Sequence, residues 1–365
     1  MNTFMKNCSL FPQNLYKRKD VYAIIYNSKV NNFFLYIFFG DLQMPNNSGL
    51  RKADGAKNDE FYTQMSDIER ELNHYKNHFN GKTILCNCDD PRVSNFFKYF
   101  ALNFNEFGLK KIITTCYKNQ DVDLFTQNDS EKAVYIEYEG NPNDPTSTDF
   151  STMQVKELKG DGDFRSTECV ELLKQADIVV TNPPFSLFRE YVAQLIHYDK
   201  KFIILGNQNA ITYKEIFRLF KENKIWLGYK AGDMSFKVPK YYEPRNTRYW
   251  EDENGQKWRS MGNICWFTNL DIKKRHEDLI LYKTYSLEEF PKFDNYDVIN
   301  VDKVSDIPLD YVGVMGVPIT FLDKYNPEQF EILGLANSAR WIDYECFTVI
   351  GKRKVYNRIL IKRKN

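Results

Sequence analysis

The strongest constraint on the fold is an apolar run that stops abruptly at an amide and two prolines. Residues 176–180 read ADIVV, residues 181–185 read TNPPF, and an amphipathic segment begins at Ser186. Such a run predicts a buried strand, and proline ends it because proline lacks an N–H and restricts the residue before it. The order of strand, turn and helix predicts an α/β sheet that holds its ligand at the carboxyl ends of its strands.

The central chain alternates between strand-like and helix-like segments. Strands are predicted at 82–88, 110–116, 133–139 as an edge or hairpin strand, 176–181 and 201–206, and helices at 92–104, 166–175, 186–197 and 212–222. This alternation predicts a doubly wound sheet with a parallel core. The chain has 365 residues, of which 42% are hydrophobic, which suits one large α/β domain with an appended or inserted module.

Charge and cysteine usage exclude several classes of protein. The net charge of +1 is no signature of nucleic-acid binding, so any such footprint must be local. Seven cysteines match neither a disulfide framework nor a zinc spacing, which predicts reduced thiols and a cytoplasmic location. The pairs Cys86/Cys88 and His74/His78 lack further ligands, so no metal is expected. The apolar segment 31–40 is shorter than the ~20 residues that span a bilayer, so no membrane association is expected either.

The turn after the run at 176–180 has the groups needed to methylate a flat amino group. An exocyclic amino nitrogen such as adenine N6 is a poor nucleophile, because its lone pair is delocalised into the ring. The Asn182 side-chain oxygen and the Pro183 carbonyl can each accept one of its N–H groups, while Pro184 keeps the turn rigid and Phe185 stacks on the base. No strong general base is needed, because the methylated nitrogen is acidic enough to lose its proton. The alternative interpretation is that the prolines only end a strand.

Several segments resemble one family. Residues 181–191, TNPPFSLFREY, are similar to the catalytic segment of adenine-N6 DNA methyltransferases, and in particular of the EcoRI modification methyltransferase family. Further segments that resemble this family, in the same order, are 58–64, 86–100, 160–166, 211–215, 221–228, 306–311 and 313–322. The resemblance covers most of residues 57–330. It implies a class I methyltransferase fold, in which strands at 225–229 and 263–269 close the sheet as an antiparallel pair.

The resemblance also implies S-adenosylmethionine as the methyl donor. Tyr62 and Thr63 lie in a segment similar to the motif that folds over the donor's methionine end, where Thr63 would bind the carboxylate. Asp163 and Phe164 resemble a pair that recognises the donor's adenine, with Asp161 as a second choice for the carboxylate.

The turn after the first strand departs from the usual donor site. It reads Asn87-Cys88-Asp89-Asp90-Pro91, where most methyltransferases of this fold have glycines. We expect Asp89 or Asp90 to pair with the donor's ammonium group and Asn87 to line the pocket. The acidic residue that usually holds the ribose is missing from residues 114–117, TTCY, so the ribose ligand stays unassigned.

The domain division and the partners follow from these segments. We expect an N-terminal extension at 1–45, a donor-binding and catalytic domain at 46–229, a target-recognition insertion at 230–262, and a closing strand with a C-terminal DNA-contacting region at 263–365. The insertion interleaves seven basic residues with aromatic ones. Its alternative interpretation is a solvated loop.

The resemblance implies double-stranded DNA as the substrate and a restriction endonuclease as functional partner, with no direct contact required. A monomer is expected, because one strand is modified per event. Two alternatives stay open at this point: a methyltransferase for RNA adenine or a protein glutamine amide, and a catalytically degenerate DNA-binding relative.

Overall fold

The main sheet has nine strands and a parallel centre. The computed structural model describes residues 61–88, 94–116, 133–140, 153–240, 242–336 and 348–364. The strands are β1 (Thr83–Asn87), β2 (Lys111–Thr115), β3 (Val134–Tyr138), β4 (Lys156–Glu157), β5 (Ile178–Thr181), β6 (Lys201–Asn207), β7 (Trp226–Lys237), β8 (Tyr249–Glu251) and β9 (Lys257–Thr268). Their order is β4-β3-β2-β1-β5-β6-β9-β7, and β8 pairs with β9.

The pairing confirms the class I methyltransferase topology. Strands β2, β1, β5 and β6 are parallel neighbours. Strand β9 lies antiparallel between β6 and β7, so the antiparallel closure of the sheet is confirmed. Strand β3 runs antiparallel to β2, as the hairpin interpretation predicted, although the short strand β4 pairs outside it. The carboxyl ends of β1, β5 and β6 therefore meet at one edge of the sheet.

In the described ranges, five α-helices cover the two faces of this sheet. They are α1 (Met65–Leu72), α2 (Asn95–Leu102), α3 (Thr167–Gln175), α4 (Phe188–His197) and α5 (Lys214–Lys221). Ser94 Oγ accepts the Phe97 N–H and Ser166 Oγ accepts the Cys169 N–H, so serine caps begin α2 and α3. Short 3₁₀ helices span Asn73–His78, Phe185–Leu187, Gln208–Thr212, Lys273–His276, Val304–Asp306 and Ile319–Lys324.

Side chains of the central strands alternate between two cores. Along β5, Val179 packs with α3, α4 and α5, whereas Ile178 and Val180 pack with α1 and α2. This period of two is what a strand buried on both faces requires. The structure thus explains why the residues of 176–180 other than Asp177 are all apolar. The Asp177 carboxylate accepts the Thr83 N–H at 2.8 Å.

The closing strands are much longer than predicted. Residues 230–237 continue β7 and residues 257–262 continue β9, so the two ends of the segment between 229 and 263 form an extended hairpin with β8 beside it. Glycine at 232 has a φ of +118°, at an irregularity in the β7–β9 register. The hairpin is therefore built on the sheet itself.

A second sheet follows in the C-terminal part of the chain. Its strands are β10 (Ile299–Asn300), β11 (Val314–Pro318), β12 (Phe330–Ala336) and β15 (Arg358–Arg363), in the order β10-β11-β15-β12. A separate hairpin pairs β13 (Val349–Ile350) with β14 (Arg353–Lys354). Buried residues of this sheet, such as Ile332 and Ile361, belong to the same core as α4 and α5.

Some predictions lie outside the described residues. They are the extension at 1–45, Asp89 and Asp90, and the first residues of the helix predicted at 92–104. Within the described ranges, every helix is too short or too polar to cross a bilayer. In the same ranges no three His, Cys, Asp or Glu side chains are grouped so that they could hold a metal ion.

Candidate active site

The catalytic segment lies at the carboxyl end of β5. Strand β5 is buried along its whole length, and Asn182 follows it with a side chain only 8% exposed. The Thr181 hydroxyl donates to the Asn87 carbonyl oxygen, which ties the ends of β5 and β1 together. This bond sets the edge of the sheet from which the Asn182 side chain projects.

Asn182 has one half of its amide occupied and the other half free. Its Nδ2 donates to the Phe61 carbonyl oxygen at 2.7 Å. Its Oδ1 is buried and has no partner among the described residues. Because a carbonyl oxygen can only accept, the Phe61 contact fixes which way the amide points. The structure thus leaves a buried, oriented hydrogen-bond acceptor at the end of β5.

The two prolines differ in what their carbonyl groups do. The Pro184 carbonyl accepts the Leu187 N–H at 3.1 Å and closes the 3₁₀ turn that leads into α4. Pro183 is a buried residue, and its carbonyl oxygen has no backbone donor among the described residues. Two acceptors, Asn182 Oδ1 and the Pro183 oxygen, are therefore left by this turn.

Phe185 is half-buried and packs against Phe61. The two ring centroids are 5.7 Å apart with an interplanar angle of 20°. Phe61 also makes edge contacts with Phe236 and Tyr242, at 5.7 and 6.2 Å. The catalytic turn is thus joined by aromatic contacts to the hairpin of β7 and β9.

The segment from Phe61 to Thr63 lies beside the catalytic turn. Tyr62 and Lys237 form an antiparallel bridge through two backbone hydrogen bonds of 3.0 and 3.3 Å. The Thr63 carbonyl accepts Asn95 Nδ2 at 2.8 Å, while its hydroxyl is buried and unpartnered among the described residues. Asn182 and Thr63 therefore each hold a free buried polar atom, on two segments that Phe61 connects.

Asn87 is held in place at the end of β1. Its Oδ1 accepts a hydrogen bond from the Tyr191 hydroxyl, and Tyr191 is fully buried on α4. Burial raises the pKa of Tyr191 well above its ordinary value, so the hydroxyl stays a donor. The next residue, Cys88, has a φ of +77°, a conformation that usually belongs to glycine. The turn after β1 therefore keeps the glycine-like backbone without the glycine.

The loop that carries Asp161 and Asp163 packs against the end of β2. Gly162 has a φ of +80°, and a Cβ at this position would collide with the Cys116 carbonyl oxygen. The Asp163 carboxylate accepts the Arg165 backbone N–H, Nε and Nη2, at 2.8, 2.9 and 2.6 Å. Arg165 lowers the pKa of Asp163 more than partial burial raises it, so the carboxylate stays charged.

Phe164 and Asp161 have different settings in this loop. The Phe164 ring is buried and meets the Tyr191 ring edge-on at a centroid distance of 5.0 Å. Asp161 is exposed, and its Oδ1 accepts the Asp163 N–H at 3.0 Å. Through Tyr191 the loop is one contact away from Asn87.

The structure groups the predicted residues into two neighbouring clusters. The first cluster surrounds Phe61 and contains Asn182, Pro183, Phe185, Tyr62 and Thr63. The second surrounds Tyr191 and contains Asn87, Asp161, Asp163 and Phe164. The two clusters meet where Thr181 bonds to Asn87.

Sequence reasoning did not single out Phe61 or Tyr191. Both act through partners far away in the chain: Phe61 contacts Asn182 across 121 positions, and Tyr191 contacts Asn87 across 104. The only signal was their presence within segments 58–64 and 181–191, which resembled the family.

Comparison with known proteins identifies the family. The family model described as "Adenine-specific methyltransferase EcoRI" matches residues 49–364. The Type II methyltransferase M.EcoRI of Escherichia coli is 52% identical over 322 residues, which cover 87% of this chain and 97% of that protein. M.MgeORF184P of Mycoplasma genitalium is 41% identical over 335 residues, covering 86% of this chain and 98% of that protein.

A third relative, M.MpnI of Mycoplasma pneumoniae, is 38% identical over 334 residues, covering 86% of this chain and 97% of that protein. No solved structure matches the chain. Because the family model covers nearly everything from residue 49 onward and the relatives align along almost their full length, the chain belongs to the EcoRI family of adenine-specific DNA methyltransferases, enzymes that take their methyl group from S-adenosylmethionine.

Proposed function

We propose that Asn182 Oδ1 and the Pro183 carbonyl oxygen accept the two N–H groups of the target adenine. The observation that carries this proposal is the oriented, buried and unpartnered Oδ1 of Asn182. Burying such an acceptor without a partner costs about 1–3 kcal/mol, which a bound amino group would offset. Two acceptors on one nitrogen localise its lone pair and make it a better nucleophile.

No strong base is required from the chain. Once the methyl group is attached, the nitrogen carries a positive charge and its protons become acidic. Either acceptor stabilises that charge until a proton passes to water. The segment therefore acts by positioning and by electrostatic stabilisation rather than by proton abstraction.

The methyl donor fits best against Thr63 and the loops at Asn87 and at Asp161 to Asp163. The free Thr63 hydroxyl suits a carboxylate acceptor, and the Asp163 carboxylate suits an amino group. S-adenosylmethionine supplies an electrophilic methyl group on its sulfonium. The loops at Asn87 and at Asp161 to Asp163 lie at the carboxyl ends of β1 and β2, and Thr63 lies on the segment that contacts the catalytic turn after β5. In this proposal Tyr62 acts through its backbone bridge to Lys237, and Asp89 or Asp90 would pair with the donor's ammonium group.

We infer that the adenine reaches Asn182 by leaving the DNA helix. The amino group of a stacked adenine cannot reach a buried acceptor, so the nucleotide has to rotate out, at a cost of a few kcal/mol. In this proposal Phe185 stacks on the base with the ring face opposite Phe61, against which its other face packs. Phe61 then acts as a positioning residue that backs this ring.

The wider organisation follows the same proposal. Residues 46–229 bind donor and adenine, residues 230–262 recognise DNA, and residues 263–365 add the closing strand and further DNA contacts. The relatives' designation as Type II methyltransferases supports a functional pairing with a restriction endonuclease. The methyltransferase would methylate the DNA sites that the endonuclease cuts, and the two proteins need no direct contact. We propose a monomer, since one strand is modified per event, acting in the cytoplasm.

A product assay tests the proposal. The protein is incubated with tritiated S-adenosylmethionine and unmethylated plasmid, and the DNA is hydrolysed, analysed for nucleosides and mapped. Label in N6-methyladenine at one short motif is the expected result. Donor binding without label in DNA, but with label in RNA or in a protein glutamine, would overturn it.

A further inference from the structure

In the hairpin of β7 and β9, acidic and basic residues lie in different segments. Glu251 at the end of β8 and Asp252 and Glu253 in the turn to β9 are acidic, whereas the β7–β8 loop, residues 238–248, contains three basic residues and only one acidic one. DNA phosphates are repelled by the first and attracted by the second. The β7–β8 loop is therefore the part of the hairpin suited to a DNA backbone.

The same loop lies next to the catalytic turn. Tyr242 is buried within the loop and contacts the Phe61 ring, which stacks on Phe185. The Arg245 guanidinium lies over the Tyr242 ring, 6.0 Å from its centroid. Three consecutive ring contacts thus lead from Arg245 to the residue proposed to stack on the base.

Side chains of β9 hold this loop in shape. Lys257 Nζ donates to the carbonyl oxygens of Lys240 and Tyr242, at 2.5 and 2.9 Å. Arg259 Nη1 donates to the Thr247 carbonyl oxygen at 2.5 Å. These two cations are occupied by backbone groups, so their contribution is a rigid loop rather than a free charge.

The remaining cations of the loop differ in the same way. Arg248 pairs with Asp233 at 2.8 Å. Lys240 Nζ has no partner in the part of the chain that the structure describes, and Arg245 contacts only the face of Tyr242 there. Both side chains are exposed. Only Lys240 and Arg245 therefore keep their hydrogen-bond donors available.

We propose that Arg245 and Lys240 bind phosphates of the target strand beside the extruded adenosine. This inference rests on the proposed function of Asn182 and Phe185. Rotating a nucleotide out of the helix swings its flanking phosphates towards the mouth of the pocket, where a rigid pair of cations can hold them. Arginine contacts a phosphate through two parallel N–H groups, whereas lysine acts as a point charge. Such contacts position the DNA and do not read its sequence.

The test measures duplex binding against salt. Arg245→Met keeps the packing on Tyr242 and removes the charge, and Lys240→Ala changes an exposed side chain. For each variant, fluorescence anisotropy gives Kd from 50 to 300 mM NaCl on a duplex with the mapped methylation motif and on a scrambled duplex. We expect each change to weaken binding of the motif duplex roughly tenfold at low salt and to lower its salt slope by about 0.9. The effect on the scrambled duplex should be smaller, because it has no target adenosine to extrude. Calorimetry should show unchanged binding of S-adenosylmethionine.

Lys201→Ala is the matched control. Lys201 is exposed at the start of β6, about 20 Å from the carboxyl end of that strand, which exceeds the Debye length in physiological salt. Lys201→Ala should leave the Kd for both duplexes and the salt slope unchanged.

An unchanged salt slope on the motif duplex in both loop variants would overturn the proposal. An equal loss on the two duplexes would overturn it too, because such contacts would not depend on an extruded adenosine. Failure of the wild-type protein to label DNA would instead count against the proposed function, because the salt slopes are measured without methyl transfer.

Discussion

Glu71 and Asn182 are both buried polar side chains, but their partners differ completely. The Glu71 carboxylate on α1 accepts the backbone N–H groups of Tyr229 and Lys230 and the Tyr75 hydroxyl, at 2.8 to 3.1 Å. Among the described residues the Asn182 side chain makes one bond, through Nδ2, and its oxygen has no partner. Glu71 joins α1 to β7 where the β7–β9 register is irregular. Its oxygens are all occupied by the fold.

The difference distinguishes a structural site from a site that waits for a ligand. A buried carboxylate whose donors all come from the fold needs no partner from outside. An unsatisfied buried acceptor raises the free energy of the folded state until a substrate arrives. Mutations at the two positions should therefore separate stability from activity.

The largest effect is expected for Asn182→Ala. Removal of Oδ1 takes away one of the two acceptors for the adenine amino group, so turnover should fall by about 10²- to 10³-fold. Only the bond to Phe61 is lost from the fold, so the free energy of unfolding should change by about 1 kcal/mol or less. Single-turnover methylation and chemical denaturation measure the two quantities.

Asn207→Ala is the matched control for that change. Asn207 also ends a parallel strand, but its Oδ1 already accepts the Asn209 N–H and Asn263 Nδ2, at 2.9 and 2.8 Å. Stability should fall while the methylation rate of the folded protein stays within about threefold of wild type. Equal rate losses in the two variants would remove the catalytic role assigned to Asn182.

Glu71→Gln should give the converse result. The new NH₂ group would face backbone donors, leaving at least one of them unpaired, so the free energy of unfolding should drop by about 2–4 kcal/mol. Donor affinity and methylation rate per folded molecule should be unchanged at a temperature well below unfolding. A rate loss as large as that of Asn182→Ala would show that the contrast between the two sites is wrong.

The pH dependence of stability tests the same carboxyl group. Burial raises the pKa of Glu71 above its ordinary value of 4.5, against the lowering effect of its donors and of Lys274. Because the pKa of Glu71 is higher in the folded than in the unfolded state, this group contributes stability that is fully present below a pH of about 4.5. That contribution is lost as the pH rises through the folded-state pKa. Wild type should therefore lose stability relative to Glu71→Gln as pH rises across that window. A difference independent of pH would mean that the carboxyl group titrates normally.

A smaller effect is expected for Thr63→Val. Valine has the same shape and lacks the hydroxyl, so the affinity for S-adenosylmethionine should fall roughly tenfold. Because the hydroxyl has no partner in the described structure, its removal should leave the melting temperature equal or higher. Thr348→Val, which removes another buried hydroxyl without a described partner, should raise stability without changing donor affinity. Equal donor affinity in the two variants would exclude Thr63 from the donor site.

Local sequence predicted the parts of this fold that depend on local rules. The apolar run of β5 and the proline stop after Asn182 are properties of neighbouring residues, and the strand predicted at 176–181 and the helix predicted at 166–175 match β5 and α3. The length of the hairpin was not predicted, because residues 230–237 and 257–262 are mixed in polarity and become strands only by pairing with each other. The roles of Phe61 and Tyr191 depend on contacts that only the folded chain makes.

Cys88 shows the same limit at a single position, and its replacement should have the smallest effect. The absence of glycine after β1 suggested an altered donor turn, yet Cys88 adopts the left-handed conformation at φ +77°. That conformation costs a non-glycine residue about 1–2 kcal/mol, while glycine adds about 0.4–1 kcal/mol of unfolded-state entropy. Cys88→Gly should therefore change the free energy of unfolding by less than about 1 kcal/mol and keep donor affinity. Cys88→Val, whose branched side chain resists this φ, should lower both the free energy of unfolding and the donor affinity. Equal stability and donor affinity in the two variants would show that the turn does not need this backbone conformation.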